Sequence, residues 1–312
     1  MKVVYVGEYT SHYSVLLKEV LEAFKNETST QKYFGDMTFG GGGHSFAMAE
    51  SFADAHIFSV DQDNDALDNG YKLIKERGKS ESMTLVKMNF NDFPQWFQKD
   101  HSDKKLDGIV MDLGVSSHHF DDFERGFSFR EDAFLDMRMN QDKGEFYTAS
   151  EVLNELDEES LANMIFKYGE ERYSRRIAKA IVSFRREQRL ERTKDLENIC
   201  FHAYPANLRH KKIHPATKTF QALRIFVNRE LEVLENSLEN MFHLLSPGGV
   251  LAVISFHSLE DRIVKHKFKE IFQSDKNAAK IITKKPIYPS EQELEENSRS
   301  RSAKLRLLQK ID

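Results

Sequence analysis

The sequence predicts an α/β fold, a Rossmann-like doubly wound sheet whose chain is interrupted by a helical insert. Three observations predict it. Short, almost wholly apolar runs alternate with helix-compatible stretches between residues 33 and 113 and again between 220 and 256. Four consecutive glycines, Gly40 to Gly43, stand between the first such run and the first helix. After Ser116-Ser117 the alternation stops, and mainly helical sequence fills the chain to about residue 213. Apolar runs of this kind fit strands buried on both faces of a parallel sheet, and their alternation with helices fits βα units.

The first strand is expected from Tyr33 through Asp36-Met37-Thr38-Phe39, leading into the glycine run, His44, Ser45 and a helix over 46–52. Consecutive glycines let the backbone take positive φ and approach a ligand that a side chain would exclude. A helix beginning just past them aims free N–H groups at whatever sits there. His56-Ile57-Phe58-Ser59-Val60 reads as the second strand, with Asp61 and Asp63 at its carboxyl end. A carboxylate accepts only, so an acid in that place suits the two hydroxyls of a ribose. The spacing Gly-x-Gly-x-x-Gly/Ala of nicotinamide sites is not met: counted from Gly40 it finds Ser45, and from Gly41 it finds Phe46. A nucleoside cofactor is therefore expected, S-adenosylmethionine ahead of a nicotinamide.

Residues 64–77 make a polar helix, Met83–Met88 a third strand ending near Phe90, and Leu106–Leu113 a fourth with Asp112 near its end. A loop rich in Asp, Phe and Arg follows to about Gly144, and Thr148-x-x-Glu151 is a capping box that opens a helix. Farther on, Ile177, Ile181 and Phe184 form an apolar stripe, with Arg172, Arg176, Lys179 and Arg186 on another side by the 3.6-residue period. Phe220 to Leu245 reads as one long helix, Ser246-Pro247-Gly248-Gly249 as a sharp turn, and Val250–Phe256 as a fifth strand. The expected organisation is a core over 1–120, a loop and helical insert over 121–213, and a second core part over 214–312 that ends in a basic tail.

At 312 residues the chain can hold a sizeable core, and 40% hydrophobic with 30% charged residues is ordinary for a globular protein. No run approaches the ~18 apolar residues of a membrane span, and the opening residues lack the apolar core of a signal peptide. A single cysteine, Cys200 between Ile199 and Phe201, excludes an internal disulfide framework and fits a buried thiol in a reducing cytoplasm. No Cys/His spacing matches a zinc site, so no metal is expected. Net charge is −5, which by itself disfavours a polyanionic partner. Its distribution points the other way. Residues 167–230 carry 16 Lys and Arg against 7 Asp and Glu, a local +9 that leaves −14 for the rest. Such segregation marks a compact basic footprint in an otherwise acidic protein.

Several blocks together resemble the bacterial small-subunit rRNA methyltransferase H family (RsmH, also called MraW). They include Asp36–Ser45, Asp112–Ser117, Arg125–Phe129, Leu135–Met139, Tyr168–Glu171, His214–Arg224, Ser255–Arg262 and Arg299–Arg306. The resemblance implies a class I S-adenosylmethionine-dependent methyltransferase that modifies the exocyclic N4 of a decoding-centre cytidine, position 1402 in conventional 16S rRNA numbering. It implies 16S rRNA within the small ribosomal subunit as the partner and no membrane, and it leaves a homodimer open. Carried over by motif, the cofactor contacts are Gly42, Gly43, His44, Asp61, Phe90, Asp112 and a loop residue at His119. Here Ser116-Ser117-His118-His119 replaces the family's usual Ser-Ser-Pro-Gln, so an imidazole stands where an amide is the rule.

The N4 amine of cytosine is conjugated into its ring and is a weak nucleophile, so acceptors must hold its N–H groups and positioning carries much of the rate. Asp112, Asp136 and His257 are the candidate catalytic residues. Against them stand plainer roles: Asp136 as a partner of Arg138, and His257 as a helix cap. A base within folded RNA must also be splayed out and stacked, for which Arg125, Phe127, Phe129 and Arg130 are candidates. The rival functions are a methyltransferase acting on protein or DNA, separated by assays on alternative substrates, and a non-catalytic RNA-binding assembly factor, separated by cofactor binding.

Overall fold

The computed structural model describes residues 14–25, 33–115, 117–142 and 147–311. Its strands are β1 (Tyr33–Asp36), β2 (His56–Asp61), β3 (Met83–Lys87), β4 (Leu106–Asp112), β5 (Leu245–Ser255), β6 (Ala279–Ile281) and β7 (Lys304–Lys310). They form one sheet in the order β3-β2-β1-β4-β5-β7-β6. The pairs from β3 to β5 are parallel, and β7 runs antiparallel to both β5 and β6.

The apolar runs are explained by packing on both faces. Successive residues of a strand point to opposite sides. Phe34, Ile57, Val110, Ala252 and Leu305 accordingly enter one hydrophobic cluster, while Phe58, Ile109, Met111, Leu251 and Leu308 enter another. With apolar partners on both sides, the parallel strands carry charged residues only at or beside their ends. Asp36, Asp61 and Asp112 are each the last residue of a strand.

The chain divides into two compact units, one of residues 1–116 and 231–312, the other of residues 117–230. The second unit thus extends past the expected boundary at 213 and takes in the helix Thr217–Val227. That helix packs on Glu158–Gly169. A Cβ on Gly169 would lie 2.5 Å from the Lys218 carbonyl oxygen, so only glycine admits the approach. Gln221 donates to the Tyr168 carbonyl at 3.3 Å and Lys218 Nζ to the Glu170 carbonyl at 2.9 Å, fixing the same junction.

The stretch 220–245 is two helices, Thr217–Val227 and Glu230–Leu244, where the pattern suggests one. Arg229 between them takes φ 51, in the left-handed region. Buried Asn228 caps the first helix, its N–H donating to the Arg224 carbonyl at 3.1 Å, and its side chain adds long-range bonds, accepting from Met139 N at 2.8 Å and donating to the Met137 carbonyl at 2.8 Å. Ser246–Gly249 does not end an element. It is a bulge inside β5, between the Leu106–Leu245 and Gly108–Val250 pairings. The expected basic tail is β7: Leu305, Leu307 and Leu308 are buried, and Arg306 is tied to Asp261 at 2.6 Å. Capping of the helix Ala149–Glu155 follows the expected box, with Glu151 N donating to Thr148 Oγ1 and Thr148 N to Glu151 Oε2. Cys200 is fully buried, and burial pushes its thiol up to about 12, which makes it packing and no nucleophile.

Candidate active site

Four chain segments reach the carboxyl edge of the parallel strands. After β1, Thr38 and Phe39 continue its direction, with Phe39 N donating to the Val60 carbonyl, and the glycine turn follows. Gly40 and Gly42 take φ 49 and 79, a conformation that favours glycine. Any Cβ on Gly42 would also meet the rings of Phe39 and Phe46 at 2.7 Å. The helix begins at Gly43, earlier than expected, with Gly42 as its N-cap and no side-chain cap. The N–H groups of its first turn have no intrahelical acceptor; that of Ser45 is bonded to Asp36, and those of Gly43 and His44 lie at the open end of the helix.

Beneath the turn lies a buried polar chain. Ser45 Oγ donates to Asp36 Oδ2 at 2.5 Å and lies 2.8 Å from Ser59 Oγ, while Asp36 Oδ1 accepts from Thr38 N at 3.1 Å. Burial pushes the Asp36 carboxyl up to about 6, against the lowering effect of these bonds. Asp61 holds the turn from the neighbouring strand. Its Oδ2 accepts from Gly40 N at 2.8 Å and its Oδ1 from Asp63 N at 3.0 Å. A carboxylate oxygen can accept a second bond, so this anchoring is compatible with gripping a ribose. Phe90 opens a short 3-10 turn after β3, half-buried, and Asn89 beside it donates to Gln62 Oε1 at 3.1 Å, joining the β2 and β3 loops.

Asp112 closes β4. Its backbone N–H donates to Thr38 Oγ1 at 2.7 Å, which locks the ends of β1 and β4 together. Its side chain differs from that of Asp61. Oδ1 is buried and has no hydrogen-bond partner among the described residues, although 23% of the side-chain surface remains open. Oδ2 lies 3.8 Å from His44 Nδ1. This is not an ion pair at neutral pH, because burial holds the His44 ring down to about 4. His44 Nε2 sits 3.1 Å from the Val15 carbonyl, which can only accept, so Nε2 carries the proton and Nδ1 is left as an acceptor. His44 therefore offers Asp112 no donor. Burial, with the charges of Asp36, Glu260 and Glu293, raises the Asp112 carboxyl well above its usual range. A buried acceptor without a donor is costly, and each such atom in a native structure calls for an explanation, a ligand to come being one.

His257 is the N-cap of the helix Ser258–Ser274. Its Nδ1 accepts from Glu260 N at 3.4 Å, and Glu260 Oε2 in return accepts from Phe256 N at 2.8 Å and His257 N at 3.2 Å. Nδ1 is thus committed to the cap, while Nε2 is buried, 3.1 Å from Glu260 Oε1, and forms no hydrogen bond among the described residues. Asp136 belongs to the second unit and is held by Arg138, Nε to Oδ1 at 2.6 Å and Nη2 to Oδ2 at 3.1 Å. His119 falls in the short helix Ser117–Asp121, and its side chain lies outside the described residues. Among the proposed stacking planes, Arg125 and Phe127 are buried. Arg125 directs its guanidinium to the carbonyls of Arg138 and Met139. Phe129 stacks on His214 at 4.9 Å, and Arg130 is exposed.

Sequence reasoning missed Asp36, Thr38 and Ser45 as parts of the site, although all three sit in the glycine block. The polar residues within an otherwise apolar strand-to-turn segment were the available signal.

A parallel sheet with an antiparallel β7 beside β5, a glycine turn after β1 and acids closing β2 and β4 define a class I S-adenosylmethionine-dependent methyltransferase fold. The chain belongs to the MraW methylase family, whose model matches residues 9–311. It is 46% identical over 302 residues to the ribosomal RNA small subunit methyltransferase H of Sulfurihydrogenibium sp. (strain YO3AOP1), covering 96% of this chain and 99% of that protein. The protein of the same name from Nostoc punctiforme is 46% identical over 301 residues, covering 96% of this chain and 94% of its own. That from Heliobacterium mobile is 46% identical over 314 residues, covering 96% and 99%.

Proposed function

We propose that this protein transfers a methyl group from S-adenosylmethionine to the exocyclic N4 of a cytidine in the 16S rRNA of the small ribosomal subunit. The observation that carries the reading is the unpartnered Asp112 Oδ1 at the carboxyl edge of the sheet, next to the glycine turn. Family membership and the shared name of the relatives support the substrate.

When bound, the cofactor supplies an electrophilic methyl group on a sulfonium. Asp61 would hold the ribose, and the first-turn N–H groups of the helix from Gly43 would face its polar end, with Phe90 against the adenine. Asp112 would accept an N–H of the incoming amine, which would orient its lone pair, and the carboxylate would take up the proton that the amine loses on methylation. A carboxyl raised by burial is a stronger proton acceptor than a free aspartate. Asp136 is engaged by Arg138 and His257 Nδ1 by a helix cap, and Asp112 is the acceptor we assign to the amine.

The basic segment 167–230 of the second unit would grip rRNA phosphates. Among the described residues no helix is long and apolar enough to cross a membrane. The deciding experiment incubates the protein with labelled cofactor and small subunits, naked rRNA or DNA, and maps the product by mass spectrometry. Methylation confined to an rRNA cytidine N4 is expected. Label on protein or DNA, or no transfer despite cofactor binding, would overturn the proposal.

A further inference from the structure

Two groups among the cations of the second unit contrast. Arg138, Arg189, Arg192, Lys194 and Arg224 each pair with an acid, at 2.6 to 3.4 Å. Arg172, Arg175, Arg176 and Lys179 are exposed and form no ion pair among the described residues. Three of these arginines cluster at the start of the helix Ser174–Phe184, whose first turn holds no acid. Cations are disfavoured at that end of a helix. Fold stability does not account for them.

They are arranged around an aromatic ring. The Arg172 guanidinium carbon lies 5.0 Å from the Tyr173 ring centre and that of Arg176 5.9 Å. Tyr173 is fixed from below. Buried Glu171 accepts its backbone N–H at 2.7 Å and also the hydroxyl of Tyr204, whose ring lies 4.8 Å from that of Tyr173. A guanidinium stacked on an aromatic ring is held flat and keeps an outer face, and its N–H edge remains available for phosphate. Bases stack on aromatic rings and on such guanidinium planes when they are unpaired, because only then is a face exposed.

We propose that Arg172, Tyr173 and Arg176 form a stacking platform for an unpaired RNA strand, with Arg175 and Lys179 taking its phosphates. The proposal rests on the reading of the basic segment 167–230 as the rRNA grip and names the form of RNA it receives. Duplex RNA, whose bases are covered, would meet the same face through charge alone.

The test exchanges arginine for lysine, which keeps the charge and removes the plane. Full-length parent, R172K/R176K and R172E/R176E are titrated with a fluorescent single-stranded oligoribonucleotide and with a hairpin duplex of equal length, over a range of salt. The lysine pair should weaken single-strand binding roughly three- to thirtyfold at unchanged salt slope. Its duplex binding should stay within about twofold of the parent, since the charges that meet the phosphates remain. The glutamate pair should weaken both RNAs and flatten the salt slope by roughly one unit for each phosphate no longer neutralised. If the lysine pair binds the single strand like the parent while the glutamate pair does not, the platform is wrong and the grip stands. If the lysine pair weakens both RNAs equally, stacking is not the cause and the platform is again wrong. If the glutamate pair matches the parent on both, the grip itself is wrong. Cofactor affinity, measured by calorimetry on each variant, keeps all these outcomes separate from failure of the methyltransferase reading.

Discussion

Two aspartates of this chain follow the same sequence logic and end in opposite states. Asp112, at the end of β4 in the sheet unit, has a buried oxygen with no donor among the described residues. Asp136, in the helical unit, accepts from the Arg138 side chain at both oxygens, from Arg138 N at 3.2 Å and from Gln141 at 3.4 Å. The first is an acceptor held open by rigid neighbours; the second is a fastener. Its segment is tightly constrained: Met137 takes φ 61, Met137 N donates to the Arg125 carbonyl, and Asn228 and Arg125 bind the carbonyls around it. Availability of lone pairs, and not the presence of an acid, separates a chemical site from a structural one.

The largest expected effect tests the open acceptor. Asp112→Asn keeps the shape but removes the charge and the capacity to take a proton. Methyl transfer measured in a single turnover should fall by about 10²–10³, the scale for losing one preorganised group at a reacting centre. Melting temperature should hold or rise, since the folded protein disfavours the charged carboxylate. Near-parental turnover would remove Asp112 from the reaction.

The buried groups beside it carry opposite pH dependences. Asp36 is raised from 3.8 to about 6, so it favours folding below pH 4 and that contribution is lost as pH rises through 6. His44 is lowered from 6.5 to about 4, so its contribution is present above pH 6.5 and lost as pH falls through 4. Each shift is of order 3 kcal/mol. Denaturant unfolding of Asp36→Asn should gain on the parent as pH rises from 4 to 6, while His44→Gln should lose ground over the same interval. Parallel profiles for parent and variants would show that neither group titrates differently on folding.

Asp61 tests whether one carboxylate serves both the turn and the cofactor. Charged hydrogen bonds contribute about 1.5–3 kcal/mol each, so Asp61→Ala should weaken S-adenosylmethionine binding at least roughly tenfold by calorimetry. Unchanged affinity would confine Asp61 to holding Gly40.

Much of the sheet unit was legible because its signals are local. Strands buried on both faces must be apolar, so the acids that close them stand out in sequence. Positive φ at Gly40 and Gly42 is written as glycine. What escaped depends on distant partners. The break at Asn228 leaves the amphipathic period intact and is made by bonds to Met137 and Met139, some ninety residues away. In β7 the charges of Lys304 and Arg306 hid a strand whose leucines are buried, because the compensating Asp261 lies on another element. Arg172 and Arg186 were read onto one helix face, yet the helix spans Ser174–Phe184 and both lie outside it. The open state of Asp112 escaped for the same reason, whereas the pairing of Asp136 was one of its two readings because its donor, Arg138, stands two residues away.

The smallest effect belongs to the fastener and closes the comparison. Asp136 and Arg138 keep 13% and 17% of their side-chain surfaces exposed, so their pairing is only partly screened by water. Asp136→Asn retains one carbonyl-type oxygen that can still accept from Arg138, and it loses the charge and the second acceptor. Replacing a charged hydrogen bond by a neutral one should cost about 1 kcal/mol of stability. If the aspartate only fastens its own turn, denaturant unfolding should register that loss while cofactor affinity and single-turnover methyl transfer stay within about twofold of the parent. A fall in methyl transfer comparable to that of Asp112→Asn, at unchanged stability, would reverse the assignment. Asp136 would then reach the target base, and the Arg138 pair would be a resting contact that the substrate displaces.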